Sequence, residues 1–156
     1  ERLEAGRLVA DVVAMLRAAH TTRRFVLDLP ETPLVITVDP RLIEIAVSNV
    51  IDNAAKYSPE ASPIGVSVRV ADPQVEVKVT DQGPGVPAAD RNRIFERYFR
   101  GADRGAGGTG AGLGLFLVRA ILRAHGGDIE YADRLGGGAE FTILLPVVVK
   151  SEGLFI

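Results

Sequence analysis

Three polar side chains share one face of a segment that is predicted to be helical. Asn49, Asn53 and Lys56 follow one another at spacings of four and three residues, and residues spaced in this way lie within about a quarter-turn of each other on an α-helix. An amide oxygen is a hard ligand of the kind that Mg²⁺ prefers, and an ammonium group can neutralise a phosphate. Taken alone, such a stripe is more often a solvated helix face.

A first glycine-rich string follows a run of alternating valines that is typical of a β-strand. It contains Asp81, Gly83 and Gly85. A carboxylate at the end of a strand can accept a hydrogen bond from the exocyclic amine of adenine, whereas guanine would offer a carbonyl and leave both acceptors unpaired. Glycines allow the backbone to come close to a base. An ordinary turn is the alternative for this string on its own.

A second string, with Gly110, Gly112 and Gly114, runs directly into a predicted helix. Its backbone N–H groups and the positive end of the helix dipole can bind phosphates. The string lacks the Gly-Lys-Ser/Thr ending of a Walker A loop, and it lies too late in the chain for a dinucleotide-binding fingerprint. Simple helix packing remains the alternative reading of these glycines.

The two strings are separated by residues 86–109, which include five arginines and four glycines. A loop of this length is usually functional or disordered. Apolar pairs at positions 94–95 and 98–99 are expected to anchor it, and the glycine-rich residues 101–110 are expected to act as a hinge. The segment is therefore predicted to be a mobile lid over a nucleotide.

Hydrophobic periodicity places these strings on a mixed set of elements. Helices are predicted for residues 3–19, 41–57 and 113–124, and strands for residues 25–29, 34–38, 64–70, 74–80, 128–132 and 139–148. Strands interleaved with three helices predict an α/β sandwich, in which one mixed sheet is covered on one face.

Composition narrows the class of protein. A chain of 156 residues is long enough for one domain with a real core. The net charge of −2 does not favour binding to nucleic acid, and the absence of cysteine excludes disulfides and cysteine-based metal sites. No apolar run approaches the roughly 20 residues of a membrane helix. Because the chain begins at Glu1 rather than at Met, it is interpreted as a fragment of a longer protein.

In chain order, the strings NVIDNAAKYSP, DQGPG, IFERYFR and GAGLGL strongly resemble the N, G1, F and G2 boxes of one family. That family is the catalytic and ATP-binding domain of bacterial sensor histidine kinases, and the resemblance covers residues 24–146. It implies a Bergerat-type α/β sandwich, shared with gyrase B, Hsp90 and MutL, with about five strands, three helices and a long ATP lid.

The resemblance also implies that Mg-ATP binds between the helix of the N box and the lid. Asn53 would be the magnesium ligand, and Asn49 and Lys56 would meet phosphates. Arg97 or Arg100 would neutralise the γ-phosphate, with no basis for choosing between them. The remaining residues implied to bind the nucleotide are Tyr57, Asp81, Gly83, Gly85, Val86, Phe95, Gly110, Gly112, Leu113 and Gly114.

One departure bears on the reaction. Hydrolytic relatives carry a glutamate where this chain has Asn49, and an amide cannot serve as the general base that activates water. Transfer of the phosphoryl group to another nucleophile is therefore expected, by alignment and charge neutralisation. Three alternatives stay open. Asn49 disfavours a hydrolytic ATPase, and the complete set of boxes disfavours a regulatory ATP-binding module. The F-box string and the long lid disfavour a serine/threonine kinase of the anti-sigma-factor type.

The family's acceptor histidine is not found here. Neither His20 nor His125 matches its string, and His125, at a helix end, is interpreted as structural. We expect residues 1–23 to lead in from a separate dimerisation and phosphoacceptor domain, residues 24–146 to form the catalytic domain, and residues 147–156 to form a tail. The implied partners are that domain, in a homodimer, and a response regulator, without nucleic acid or direct membrane contact. The implied location is the cytoplasmic side of a bacterial membrane sensor.

Overall fold

The computed structural model describes residues 1–97 and 114–148. In this part of the chain the elements are, in order, β1 (Arg2–Glu4), α1 (Ala5–Ala19), β2 (Phe25–Asp28), β3 (Val35–Thr37), α2 (Pro40–Tyr57), β4 (Ile64–Ala71), β5 (Gln74–Thr80), a short 3-10 helix (Ala88–Asp90), α3 (Gly114–Ala124), β6 (Asp128–Asp133) and β7 (Ala139–Pro146).

Five of the strands form the main sheet, in the order β2-β4-β5-β7-β6. The pair β2 and β4 is parallel, and the other neighbours are antiparallel. The prediction of a mixed sheet of about five strands with three helices is therefore confirmed. The tight connections, between β4 and β5 and between β6 and β7, join antiparallel neighbours, as short loops must.

The expectation of one single sheet was wrong for the segment around β3. This strand pairs instead with β1, in a separate antiparallel two-stranded sheet with Leu3 opposite Ile36. The backbone N–H of Val38 also donates to the carbonyl oxygen of Glu1, at 2.9 Å. Since residues 2–4 are committed to this pairing, α1 begins at Ala5 rather than at the predicted position 3.

The core lies between the main sheet and the helices. Val75, Val77 and Val79 alternate with half-buried residues along β5, so this strand has one wholly buried face. Helix α2 is the central helix, because it packs against both α1 and α3 as well as against the sheet. Its buried face consists of Ile43, Ala46, Val47, Val50, Ile51, Ala54 and Ala55.

Helix α1 contributes to the same core. Leu8, Val9, Val12, Val13 and Leu16 are buried, and they belong to one cluster with the apolar residues of α2 and the sheet. Residues 5–19 are thus part of this folded body. Within residues 1–97 and 114–148, no helix is both long enough and apolar enough to cross a bilayer.

Both ends of α2 are fixed by side chains, and this sets the position of every residue along it. At the start, the carboxylate of Asp39 accepts hydrogen bonds from the backbone N–H groups of Arg41 and Leu42, at 3.0 and 3.4 Å, and Pro40 occupies the first helical position. The helix ends at Tyr57, and the hydroxyl of the next residue, Ser58, donates to the carbonyl oxygen of Ala54 at 2.7 Å.

Candidate functional site

The polar stripe predicted from the sequence lies on the C-terminal half of α2. Asn49 and Asn53 are half-buried, and Lys56 is exposed in the last turn of the helix. At about 100° per residue, the three side chains fall within roughly 60° of each other. Because the opposite face of α2 is in the core, the stripe lies along the edge of the helix where it meets solvent.

A carboxylate that the sequence analysis did not single out lies beside the stripe. Asp52 Oδ2 is 3.7 Å from Lys56 Nζ, and its Oδ1 is 3.2 Å from His20 Nε2. The ammonium group of Lys56 is thus shared with an acidic neighbour on its own helix. The four-residue spacing of Asp52 and Lys56 could have revealed this pair, whereas its link to α1 could not be read from spacing.

The first glycine string is held directly against the end of α2. A Cβ atom added to Gly83 would lie 2.2 Å from the carbonyl oxygen of Tyr57. Such a distance is far below any real contact, so position 83 must be glycine for the loop to lie here. The G1 loop, which we define as residues 81–86, and the polar stripe therefore meet at one corner of the molecule.

Asp81, at the end of β5, is almost completely buried, with 3% of its surface exposed. Its Oδ1 accepts hydrogen bonds from the backbone N–H groups of Gly83, at 2.8 Å, and Ala139, at 3.4 Å. Its own N–H donates to the carbonyl oxygen of Ala139 at 3.0 Å. A Cβ atom at Gly138 would lie 1.9 Å from the Asp81 carbonyl oxygen, so the turn before β7 also packs tightly on the G1 loop.

Arg23 is a second residue that the sequence analysis missed. One guanidinium nitrogen donates to the carbonyl oxygens of Ala55 and Ser58, at 2.7 and 3.2 Å. The other donates to Ser58 Oγ and to the carbonyl oxygens of Pro59 and Ser62, at 3.1, 2.7 and 3.1 Å. The last turn of α2, which carries Lys56 and Tyr57, is therefore fastened to the segment between α1 and β2.

The first part of the predicted lid packs against the domain. Val86, Ile94 and Phe95 are buried, which agrees with the anchoring role expected of positions 94–95. Phe95 meets the ring of Phe141 edge-on at 6.3 Å, and the Arg119 guanidinium lies 4.1 Å from the centroid of the Phe95 ring. The buried side chains of Val86 and Phe95 thus anchor this part of the chain in the core.

Arg97 lies against the start of α3. Its guanidinium carbon is 4.7 Å from the centroid of the Phe116 ring, a cation–π contact. Arg97 and Phe116 flank the undescribed residues 98–113 on either side. Gly114 is the first residue of α3. Four other predicted site residues, and the second apolar pair of the lid, lie outside the described residues: Arg100, Gly110, Gly112, Leu113, Tyr98 and Phe99.

His125 joins the far ends of α2 and α3. Its Nδ1 lies 2.8 Å from the Ile121 carbonyl oxygen, and its Nε2 lies 3.1 Å from the backbone nitrogen of Asp39. Nε2 must accept from that N–H, so Nδ1 carries the ring proton and donates it to Ile121. Both ring nitrogens are therefore engaged, which agrees with the structural role expected for His125.

Comparison with known proteins identifies the family. Residues 38–149 match the family model described as histidine kinase-, DNA gyrase B-, and HSP90-like ATPase. The adaptive-response sensory kinase SasA of Nostoc sp. is 35% identical over 150 residues, which cover 94% of this chain and 37% of that protein. The chain thus spans little more than a third of the length of this curated relative.

Solved structures give the same result. A mycobacterial sensor histidine kinase MprB is 34% identical, with a TM-score of 0.80, over 94% of this chain and 97% of that one. The full-length kinase ShkA, solved in complex with AMPPNP, is 28% identical with a TM-score of 0.78, over 96% of this chain and 31% of that one. The chain accordingly belongs to the histidine kinase-, DNA gyrase B- and HSP90-like ATPase family, among the catalytic domains of sensor histidine kinases.

Proposed function

We propose that this chain binds Mg-ATP and donates the γ-phosphate to a histidine on a separate dimerisation domain. The observation that carries the proposal is the contact of Gly83 with the Tyr57 carbonyl. It brings a buried carboxylate, Asp81, to the same corner as the amides and the ammonium of α2. Recognition of adenine and binding of phosphates thus become possible within one site.

The side chains present fit a magnesium nucleotide. Asn53 supplies an amide oxygen, the type of ligand that Mg²⁺ accepts beside phosphate oxygens and water, and Asn49 and Lys56 are placed to meet phosphates. When bound, the ion would neutralise negative charge on the phosphates. Asn49, in place of a glutamate, leaves no general base at that position, so the site favours transfer over hydrolysis.

At the nucleoside end we assign Tyr57, Asp81, Gly83 and Gly85 to adenosine. We assign Asp81 to the exocyclic amine, because its carboxylate is a hydrogen-bond acceptor buried at this corner. Val86 and Phe95 act by packing, since both side chains are buried. The remaining assignments are carried by the family resemblance: Gly110, Gly112, Leu113 and Gly114 at the phosphates, and Arg97 or Arg100 at the γ-phosphate.

The nucleophile comes from outside the described residues in this proposal. His125 has both ring nitrogens engaged, and His20 Nε2 is paired with Asp52. A nitrogen of the acceptor histidine attacks the γ-phosphorus, a P–N bond forms, and the bond to the leaving ADP oxygen breaks. We place that histidine on a dimerisation domain joined through residues 1–23, which themselves pack on the catalytic domain of residues 24–146, with 147–156 as a tail.

The wider context follows from the same proposal. The parent protein would be a homodimer that passes the phosphoryl group to a response regulator. Its catalytic domain would lie on the cytoplasmic side of a membrane-bound sensor. The relatives named as sensory or sensor kinases support this context.

Titration calorimetry tests the nucleotide step. The wild type should bind ATP only when Mg²⁺ is present, and Asn53→Ala should weaken binding at least tenfold, as expected for the loss of a metal ligand. Gln74→Ala is the matched control, because Gln74 is an amide at the opposite end of β5 from Asp81. Equal affinities in Asn53→Ala and Gln74→Ala would remove Asn53 from the site.

Radiolabelled ATP tests the transfer step. The chain alone should hydrolyse ATP slowly and remain unlabelled, and label should appear on the segment encoded immediately before Glu1 when that segment is added as a separate chain. Fast turnover that survives Asn49→Ala would instead support a hydrolytic ATPase. Label on His20 or His125 would overturn the assignment of the acceptor to another domain.

A further inference from the structure

The main chain of Val86, the last residue of the G1 loop, is bonded by two side chains. Its N–H donates to the Tyr131 hydroxyl at 2.9 Å, and its carbonyl oxygen accepts from Arg91 Nε at 3.2 Å. Tyr131 belongs to β6, whereas Arg91 follows the 3-10 helix Ala88–Asp90. Both the N–H and the carbonyl group of Val86 are thus hydrogen-bonded to side chains.

A carboxylate joins these two side chains. The Tyr131 hydroxyl donates to Asp133 Oδ1 at 3.0 Å, and the Arg91 guanidinium donates to both Asp133 oxygens, at 2.9 and 2.8 Å. The guanidinium also lies 5.5 Å from the centroid of the Tyr131 ring. Val86, Tyr131, Asp133 and Arg91 therefore form a closed ring of hydrogen bonds, the Val86 ring.

Tyr131 is well suited to hold this position. Its side chain packs edge-on against Phe141, with ring centroids 5.3 Å apart. Burial raises the pKa of Tyr131, and its bond to the Asp133 carboxylate raises it further, against the opposing effect of the Val86 N–H. The hydroxyl therefore keeps its proton at neutral pH, and it can donate to Asp133 while accepting from Val86.

The same hairpin holds the other end of the G1 loop. In the pairing of β6 with β7, Asp133 lies opposite Ala139, and Ala139 exchanges hydrogen bonds with Asp81. Both ends of residues 81–86 are thus bonded to one rigid element. The positions of both ends of the loop therefore depend on these connections.

We propose that Tyr131, Asp133 and Arg91 are positioning residues for nucleotide binding, which act by fixing the G1 loop through Val86. The inference rests on the proposed function, because it assigns these residues to the adenosine end of that site. Tyr131 and Arg91 bond the loop directly, and Asp133 acts through both of them. A cavity of about 480 Å³ adjoins the ring and is lined by Gly85, Val86, Arg91 and Asp133 among others, so water can reach the bonds of a weakened ring.

The test compares Tyr131→Phe and Asp133→Asn with a matched control, Asp28→Asn. Asp28 also pairs with an arginine, Arg69, and its side chain is 57% exposed, as is that of Asp133. That pair lies on β2 and β4 and does not touch the G1 loop. Each ring variant should weaken binding of Mg-ATP and Mg-ADP by the same factor, about fivefold to twentyfold, as expected for the loss of one hydrogen bond that orders a binding loop.

Amide hydrogen exchange supplies a readout that does not depend on ATP. Exchange at the backbone N–H of Val86, which the Tyr131 hydroxyl holds, should accelerate at least tenfold in both ring variants and stay at the wild-type rate in Asp28→Asn. The double variant should lose less affinity than the sum of the two single losses, because both substitutions open the same ring.

Two results separate the possible failures. Wild-type binding of Mg-ATP together with unchanged exchange or unchanged affinity in Tyr131→Phe would overturn the positioning role alone. A wild type that does not bind Mg-ATP would overturn the proposed function, and the inference with it.

Discussion

The carbonyl oxygen of Tyr57 occupies the space where a side chain at position 83 would begin. An added Cβ atom would be 2.2 Å from that oxygen, and the oxygen belongs to the last residue of α2. The glycine is thus required by the protein's own backbone, independently of any requirement of a ligand. The end of the helix and the start of the G1 loop have one fixed spacing.

Gly83→Ala should therefore separate the loop from the helix. We expect a loss of about 1–3 kcal/mol in the free energy of unfolding, the usual cost of overpacking, and at least tenfold weaker binding of Mg-ATP because Asp81 moves with the loop. Gly6→Ala is the control, since its nearest neighbours would be at ordinary contact distances of 3.7–4.0 Å. Chemical denaturation and calorimetry measure both quantities, and equal behaviour of the two variants would contradict the spacing argument.

Arg23→Lys should destabilise the end of α2. Lysine keeps the charge but lacks the planar fork, so most of the five hydrogen bonds from Arg23 would be lost. We expect a loss of about 1–3 kcal/mol in unfolding free energy. Arg24→Lys, at the adjacent exposed position, should change it by less than about 0.5 kcal/mol. The prediction fails if urea denaturation gives the same midpoint for both variants.

Asp52→Asn should strengthen the binding of Mg-ATP. The substitution removes a negative charge 3.7 Å from Lys56 Nζ, which lowers the repulsion of a phosphate at this position. For an exposed pair we expect roughly twofold to fivefold tighter binding. Glu44→Gln also removes one negative charge, but at a position about 12 Å before Asp52 along α2. Because that extra distance from Lys56 exceeds the screening length in physiological salt, this substitution should have little effect. Weaker binding by Asp52→Asn would show that Asp52 holds Lys56 in its working position.

The stability contribution of Asp128 should depend on pH. Burial opposes the charged form, yet the Ile129 N–H, Arg123 and Arg119 together hold the pKa of Asp128 below its ordinary value. A carboxyl with a lowered pKa in the folded state stabilises the fold above the unfolded value, near 4, and loses that effect as the pH falls through the folded value.

Asp128→Asn should accordingly lower the unfolding free energy at pH 7 by about 0.5–1 kcal/mol, a value limited by the exposure of the pair. The difference from the wild type should shrink below about pH 4. The exposed Asp11 on α1 offers the control, since Asp11→Asn should show a small difference at every pH. Thermal melts over pH 3–7 measure the stability difference between Asp128→Asn and the wild type. A difference that grows as the pH falls would contradict the prediction.

Most of the fold could be predicted because its signals are local. The predicted bounds of α2, residues 41–57, were within one residue of the observed bounds, Pro40–Tyr57. The ends of the helix are marked in the sequence by Asp39 and Pro40 at the start and by Ser58 and Pro59 at the end. The valine alternation gave β5 with its correct bounds, Gln74–Thr80. By contrast, β1 depends on pairing with β3, more than thirty residues away. With only three residues, β1 is too short to show an alternating hydrophobic pattern.

The same contrast between local signals and long-range contacts applies to the candidate site. Asn49, Asn53, Lys56 and Asp81 could be proposed as site residues because their types and spacing are chemically informative within a short window. Arg23 and Tyr131 were missed, since Ala55 lies 32 residues from Arg23 and Val86 lies 45 residues from Tyr131, and these residues become neighbours only in the folded chain. The run of glycines before Ala139 was the available signal that this hairpin packs closely on something.

The burial of Asp81 has a consequence for the energetics of binding. Its carboxylate is already shielded from water, and Oδ1 already accepts two backbone N–H groups. Stripping water from that carboxylate is therefore part of folding and does not recur when a nucleotide arrives. In the proposed site this acceptor is preorganised, so affinity for adenine would not be reduced by reorganisation of the loop.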